Sequence, residues 1–184
     1  MAVTRTLLRS ACHQFDNPTK VLTLANSILA EGNDACMFVT LFIGYYTVTS
    51  GEIVYANAGH HPAVLLEPDG KLSTFGLCED PPLGILEDNI YRSGEKILSP
   101  GKTVMLYTDG VTEAHAPGGE LYGEDRLMAF LDRHGTDSLE DLSARLLEEL
   151  DDYQDGIVFD DITLLLLNRC VSEYMSSGSN NTGV

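Results

Sequence analysis

Two short acidic stretches carry the chemistry this chain could perform. Leu106-Tyr107-Thr108-Asp109-Gly110-Val111-Thr112-Glu113 and Asp160-Asp161-Ile162-Thr163-Leu164-Leu165 each place a carboxylate at the edge of an apolar run that reads as a buried strand. A carboxylate there is costly to bury unless something positive sits against it. No Lys or Arg lies near either one in sequence, so a divalent cation is the natural partner, and carboxylate oxygens suit Mg²⁺ or Mn²⁺. Each stretch also has an ordinary reading. Asp109-Gly110 is a turn dipeptide after a strand, and Asp160-Asp161 is a charged cap at a strand start. Together they weigh more, because neighbouring antiparallel strands would bring those two ends close.

Other hydrolytic machineries are absent. Gly101-Lys102-Thr103 looks like the end of a phosphate-binding P-loop, but Lys96 stands where the first glycine is required, and a strand follows instead of a helix. There is no G-x-S-x-G elbow and no H-E-x-x-H pair. No cysteine sits in an arginine-bearing loop that would make it a nucleophile. The four cysteines, Cys12, Cys36, Cys78 and Cys170, form no C-x-x-C pair, which fits buried or incidental thiols in a reducing compartment.

The charge balance narrows the partners. Lys and Arg total 11 against 28 Asp and Glu, a formal charge of -17 over 184 residues. That argues against nucleic acid and against an anionic membrane surface. It leaves a phosphate substrate open, because a bound metal reverses the local field. Much of the acid falls between Asp137 and Asp161 and reads as a solvated helix face. No apolar run reaches the ~18 residues a membrane span needs, and the N-terminus lacks a signal-peptide pattern. The cytoplasm is therefore the expected compartment.

Positioning these residues falls to a mixed set of elements. Helical spacing covers 1–14. Asn17 as N-cap and Pro18 at the first helical position start a second helix that stops near Gly32-Asn33. The apolar, β-branched and aromatic run 38–48 reads as a central strand, with a partner at 52–58. Pro68-Asp69-Gly70 turns a hairpin between 63–66 and 72–75. Strands at 91–98 and 103–107 precede helices at 124–134 and 138–153, the second opened by Ser138 with Asp141. A last strand covers 162–168. Hairpin strands with paired helices indicate an α+β fold, an antiparallel sheet covered by helices.

Several motifs now stand in order: Met37-Phe38-Val39-Thr40, Tyr55-Ala56-Asn57-Ala58-Gly59-His60-His61-Pro62, Pro82-Leu83-Gly84, Tyr107-Thr108-Asp109-Gly110-Val111-Thr112-Glu113, Gly123-Glu124-Asp125-Arg126-Leu127 and Asp160-Asp161-Ile162-Thr163. The series resembles the metal-dependent (PPM, phosphatase 2C type) protein phosphatases, in their bacterial SpoIIE/RsbU-like branch. The resemblance implies an antiparallel β-sandwich flanked by helix pairs, with two Mn²⁺ or Mg²⁺ ions at one end of the sheets. It implies hydrolysis of phosphoserine or phosphothreonine on a protein by a metal-bridged water, without a covalent intermediate. Asp109 and Asp160 match the family's metal aspartates. Asp161 is a further metal-side candidate, and Gly110 would let the backbone turn tightly beside the ion.

Glu113 could orient the Asp109 loop, although a surface ion pair or cap explains it as well. His60 and His61 sit in a loop after a strand. Adjacent side chains rarely ligate one ion, so packing and hydrogen bonding explain them, and spacing gives no support to a general-acid role for His60. Asn57 satisfies backbone groups in its turn. Arg126 reads as a helix-surface charge, and His115 has no partner visible in sequence.

The family's G-G-D-x-x-D strand and D-V-S-G-H-G segment, which supply further metal carboxylates, have no counterpart here. Residues 1–170 are thus expected to be the C-terminal portion of a phosphatase domain, incomplete at the N-terminus and binding metal at most weakly, with 171–184 a disordered tail. The implied partners are a phosphoprotein, such as an antagonist of an anti-sigma factor, an upstream sensory or regulatory domain, and a second copy in a homodimer. The competing expectation is a non-catalytic, partner-binding remnant.

Overall fold

The computed structural model describes residues 2–157 and 160–170. The expected disordered tail lies outside the described residues. Among the described residues, seven strands fall in two antiparallel sheets. One holds β1 (Leu41–Thr47), β2 (Glu52–Ala58) and β5 (Gly94–Ile97) in the order β1-β2-β5. The other holds β3 (Ala63–Leu66), β4 (Leu72–Phe75), β6 (Thr103–Tyr107) and β7 (Leu164–Asn168) in the order β4-β3-β6-β7. Helices α1 (Ala2–Gln14) and α2 (Pro18–Ala30) precede them, a single turn α3 (Asp109–Thr112) follows β6, and α4 (Gly123–His134) and α5 (Leu139–Tyr153) precede β7.

Strand alternation sorts side chains into layers. Ala63 and Leu65 pack with Ile53, Phe75, Leu98 and Val104 between the sheets. Their neighbours Val64 and Leu66 point the other way and pack with Met105 and Tyr107 against Leu127, Phe130 and Leu131 of α4 and Leu142, Leu146 and Leu150 of α5. On the opposite flank Ala56 and Ala58 meet Leu22 and Ala25 of α2. The architecture is the helix-flanked sandwich that the motifs imply.

The caps behave as read. The Asn17 side chain accepts from Lys20 N at 3.2 Å, and Ser138 Oγ accepts from Asp141 N at 3.0 Å. Two other readings need correction. The run 38–48 is not a central strand, because among the described residues β1 pairs with β2 alone. It looked central because both of its faces are covered: Leu41 and Ile43 pack toward the helices, Phe42 and Tyr46 toward the other sheet. Of the two readings of the cysteines, buried or incidental, the buried one does not hold, because all four are exposed.

Asn26 fixes the long connection between β4 and β5. It is fully buried and donates to the carbonyls of Leu86 (2.7 Å) and Glu87 (3.1 Å). Its oxygen accepts from Gly84 N at 2.9 Å and from the Tyr91 hydroxyl at 3.2 Å. Asn26→Ala would strand a buried N–H and leave a polar cavity, so it should lower stability by about 2–3 kcal/mol. The midpoint of urea unfolding measures this, and an unchanged midpoint would contradict the assignment.

Candidate active site

The antiparallel pairing of β6 with β7 aligns Tyr107 with Leu164, so Asp109 leaves β6 where Asp160 and Asp161 approach β7. Backbone and side chain then bind the two loops together. Thr108 N donates to Thr163 O at 3.1 Å. Thr108 Oγ1 donates to Asp161 O at 3.1 Å and accepts from Thr163 N at 3.0 Å. A Cβ on Gly110 would lie 2.6 Å from Asp161 O, so only glycine allows the loops this close. Asp109 begins not a plain turn but the single helical turn α3, and Glu113 caps it through its N–H to Asp109 O at 2.7 Å.

These loops form one wall of a cleft of about 640 Å³. The cleft is lined by Asp109, Glu113, Asp160 and Asp161, by His60 and His61, and by Phe38 and Phe42 from the β1 side. All four carboxylate residues are exposed at its open end. Asp109 and Asp160 are therefore not buried as their positions beside apolar strands suggested, and burial forces no cation onto them. Like charges gather on the cleft wall, where the described lining residues include no Lys or Arg, and a cation would relieve their repulsion. Asp109 Oδ1 accepts from Gly110 N at 3.1 Å and Asp160 Oδ1 from Asp161 N at 2.7 Å, which sets the direction of each carboxylate. The oxygen donors suit a hard divalent ion. No group of three or more metal-ligating side chains is assembled among the described residues.

The histidine loop forms the facing wall. Asn57 holds it, donating to the carbonyls of His60 (2.8 Å) and Gly76 (2.7 Å) while its oxygen accepts from His60 N at 2.8 Å. Gly59 has φ +76°, and a Cβ there would sit 2.5 Å from Pro82 Cγ, so the loop is pressed against the β4–β5 connection. His61 stacks on Tyr107 at 5.2 Å between centroids, and its Nδ1 lies 3.5 Å from Glu124 Oε1. Burial pushes the Tyr107 hydroxyl up to about 12, so the ring is a neutral platform for His61 at any ordinary pH.

His61, Thr108 and Phe38 were not singled out as site residues from sequence. The T-D-G string marked Thr108, but its double hydrogen bond depends on the pairing of strands more than fifty residues apart. Glu113 makes no ion pair among the described residues. Arg126 is more than a surface charge: it donates to the carbonyls of Leu121 (2.9 Å) and Tyr122 (3.1 Å) and pairs with Glu120 at 2.6 Å.

With this geometry in view, the comparisons decide the family. The profile of Stage II sporulation protein E (SpoIIE) matches residues 1–169. This chain belongs to the SpoIIE family. It is 35% identical over 151 residues to Protein IcfG of Synechocystis sp., covering 79% of this chain and 23% of that one. It is 32% identical over 159 residues to phosphoserine phosphatase RsbU of Bacillus subtilis, covering 84% and 46%. The chain thus spans less than half the length of these curated relatives. Its fold matches the SiaA-PP2C domain of Pseudomonas aeruginosa with a TM-score of 0.74 at 20% identity, covering 90% of this chain and 67% of that one.

The two-loop arrangement gives a direct test. Thr108→Val keeps the side-chain shape but removes both hydroxyl hydrogen bonds. It should lower stability by about 1–3 kcal/mol and release the 160–163 loop, read as faster amide exchange at Thr163. Unchanged exchange would show that the hydroxyl does not hold the loops.

Proposed function

We propose that this chain is the C-terminal portion of a PPM-type protein phosphatase domain that removes phosphate from phosphoserine or phosphothreonine on a regulatory protein. One observation carries the reading: Asp109 and Asp160, from strands joined edge to edge, open into the same cleft at one end of a helix-flanked sandwich. Family membership and the name of its relative RsbU agree with it. Asp109 and Asp160 would hold Mn²⁺ or Mg²⁺ with Asp161 beside them, and the ion would supply a water of lowered pKa and positive charge for the phosphoryl oxygens. Gly110 and Thr108 keep these carboxylates together, and Glu113 fixes the turn that carries Asp109.

The remaining carboxylates of a two-metal centre would come from residues N-terminal to this stretch. Exposed apolar groups support that reading. Leu165 of the edge strand β7 is 52% exposed, and Phe38, before the edge strand β1, is 60% exposed. The branch resemblance points to an antagonist of an anti-sigma factor as substrate, to a sensory or regulatory domain upstream, and to a cytoplasmic protein able to dimerise. No helix among the described residues is long and apolar enough to cross a membrane. The second reading, a partner-binding remnant without activity, draws on the same exposed apolar groups and on the lack of a three-ligand cluster.

A version extended N-terminally with the missing carboxylates tests the first reading against the second. It should hydrolyse a phosphoserine peptide with Mn²⁺ and stop on adding EDTA. Asp109→Asn and Asp160→Asn should each reduce the rate about a hundredfold or more. A folded, metal-loaded extended protein without hydrolysis would sink the enzymatic reading.

A further inference from the structure

We propose that the α1–α2 hairpin docks an acidic segment of the phosphoprotein, next to the residue that enters the cleft; this deepens the phosphatase reading and rests on it. The first support is where the chain leaves its cations. Of 11 Lys and Arg residues, eight are occupied among the described residues: six in ion pairs with Asp or Glu, Lys96 over the Phe75 ring, and Arg169 on three carbonyls. The other three are Arg5, Arg9 and Lys20, which are exposed and make no ion pair among the described residues. All three lie on α1 and α2, and Asp16 is the one acid of residues 1–30.

Spacing makes them a stripe. Arg5, Arg9 and His13 stand four apart, so they share one face of α1 over about 12 Å. Like charges at that spacing weaken a helix, and no carboxylate among the described residues compensates them. In a chain of formal charge -17, an uncompensated basic face suits an anionic partner.

The stripe leads to the cleft. Phe15, Asp16 and Asn17 join the two helices, which makes them antiparallel neighbours. That turn sits away from the cleft, where the Tyr45 hydroxyl donates to Phe15 O at 2.9 Å. The opposite end of the hairpin adjoins the cleft. Asn33, just past α2, accepts from Met37 N at 3.0 Å and donates to Gly84 O at 3.0 Å, and Phe38, Val39 and Thr40 then line the cleft. Arg5 therefore stands at the cleft end, with Arg9 and His13 following away from it.

The partner's chemistry follows from the field. The cleft wall carries Asp109, Glu113, Asp160 and Asp161, which oppose an approaching phosphoprotein, and the stripe supplies attraction just outside. An anionic bilayer or a second copy meets the charge of the whole molecule and is repelled. A short run of Asp and Glu meets only the charges within a Debye length, about 8 Å at physiological salt.

The test begins on the chain itself. A hexaglutamate peptide at low salt should shift backbone amide signals confined to α1 and α2. The shifts should vanish at about 0.3 M salt, and in the double variant Arg5→Gln/Arg9→Gln, whose circular dichroism should match the parent. No shifts, shifts elsewhere, or binding that survives the substitutions overturns the inference. So does a face that ignores the peptide but holds phosphatidylserine vesicles or a second copy of the chain. In the N-terminally extended protein, two phosphoserine peptides that differ only in a flexibly linked Asp/Glu run are compared. The run should raise kcat/KM about tenfold, through KM. The double variant should lose that gain and keep the plain peptide's kcat and KM. No gain from the run, or an equal loss on both peptides, overturns the proposal. If the unsubstituted protein hydrolyses neither peptide, the phosphatase reading fails, and hexaglutamate binding still decides whether the hairpin docks acidic segments.

Discussion

The site depends on how closely two loops can approach. Residues 108–110 and 160–163 come from strands far apart in sequence, and each ends in acid. Left to electrostatics they would separate. Three backbone-level contacts hold them: the Thr108 N–H on Thr163 O, and the two bonds through the Thr108 hydroxyl. The missing side chain of Gly110 leaves room for the Asp161 carbonyl. Hydrogen bonds of this kind contribute about 0.5–1.5 kcal/mol each, enough in sum to keep like charges together at the solvent edge, where water screens them.

The cleft's chemistry follows from that proximity. A phosphate dianion meeting four carboxylates, with no Lys or Arg among the described residues lining the cleft, would be repelled. The same carboxylates would become a phosphate site if they held a divalent ion, whose charge would dominate the local field. The surrounding sandwich keeps the geometry rigid. Its period-two strands bury one face between the sheets and the other under helix pairs, so the loops at the strand ends are what remains free to carry function.

Much of this was legible in the sequence, for identifiable reasons. The strands 103–107, 52–58 and 63–66 alternate or run apolar between clear turn signals, and Asn17, Pro18 and Ser138 announce helix starts by local chemistry alone. That Asp109 and Asp160 line one cleft could be anticipated because each lies at a strand end. What could not be read was tertiary. The edge position of β1 is invisible to a pattern that records only which faces are covered. The carboxylates' exposure depends on where the cleft opens, not on the apolar runs beside them. The clamp of Asn57 on His60 needs a backbone turn with Gly59 at positive φ, and the role of His61 needs Tyr107, forty-six residues on, beneath its ring.

The central claim is that Asp109 and Asp160 act on one ion. Electron paramagnetic resonance of Mn²⁺ titrated into this chain tests it most directly. The account predicts weak binding that either Asp109→Asn or Asp160→Asn alone abolishes, while both variants keep the native circular dichroism spectrum. Mn²⁺ affinity left intact in both folded variants would contradict it.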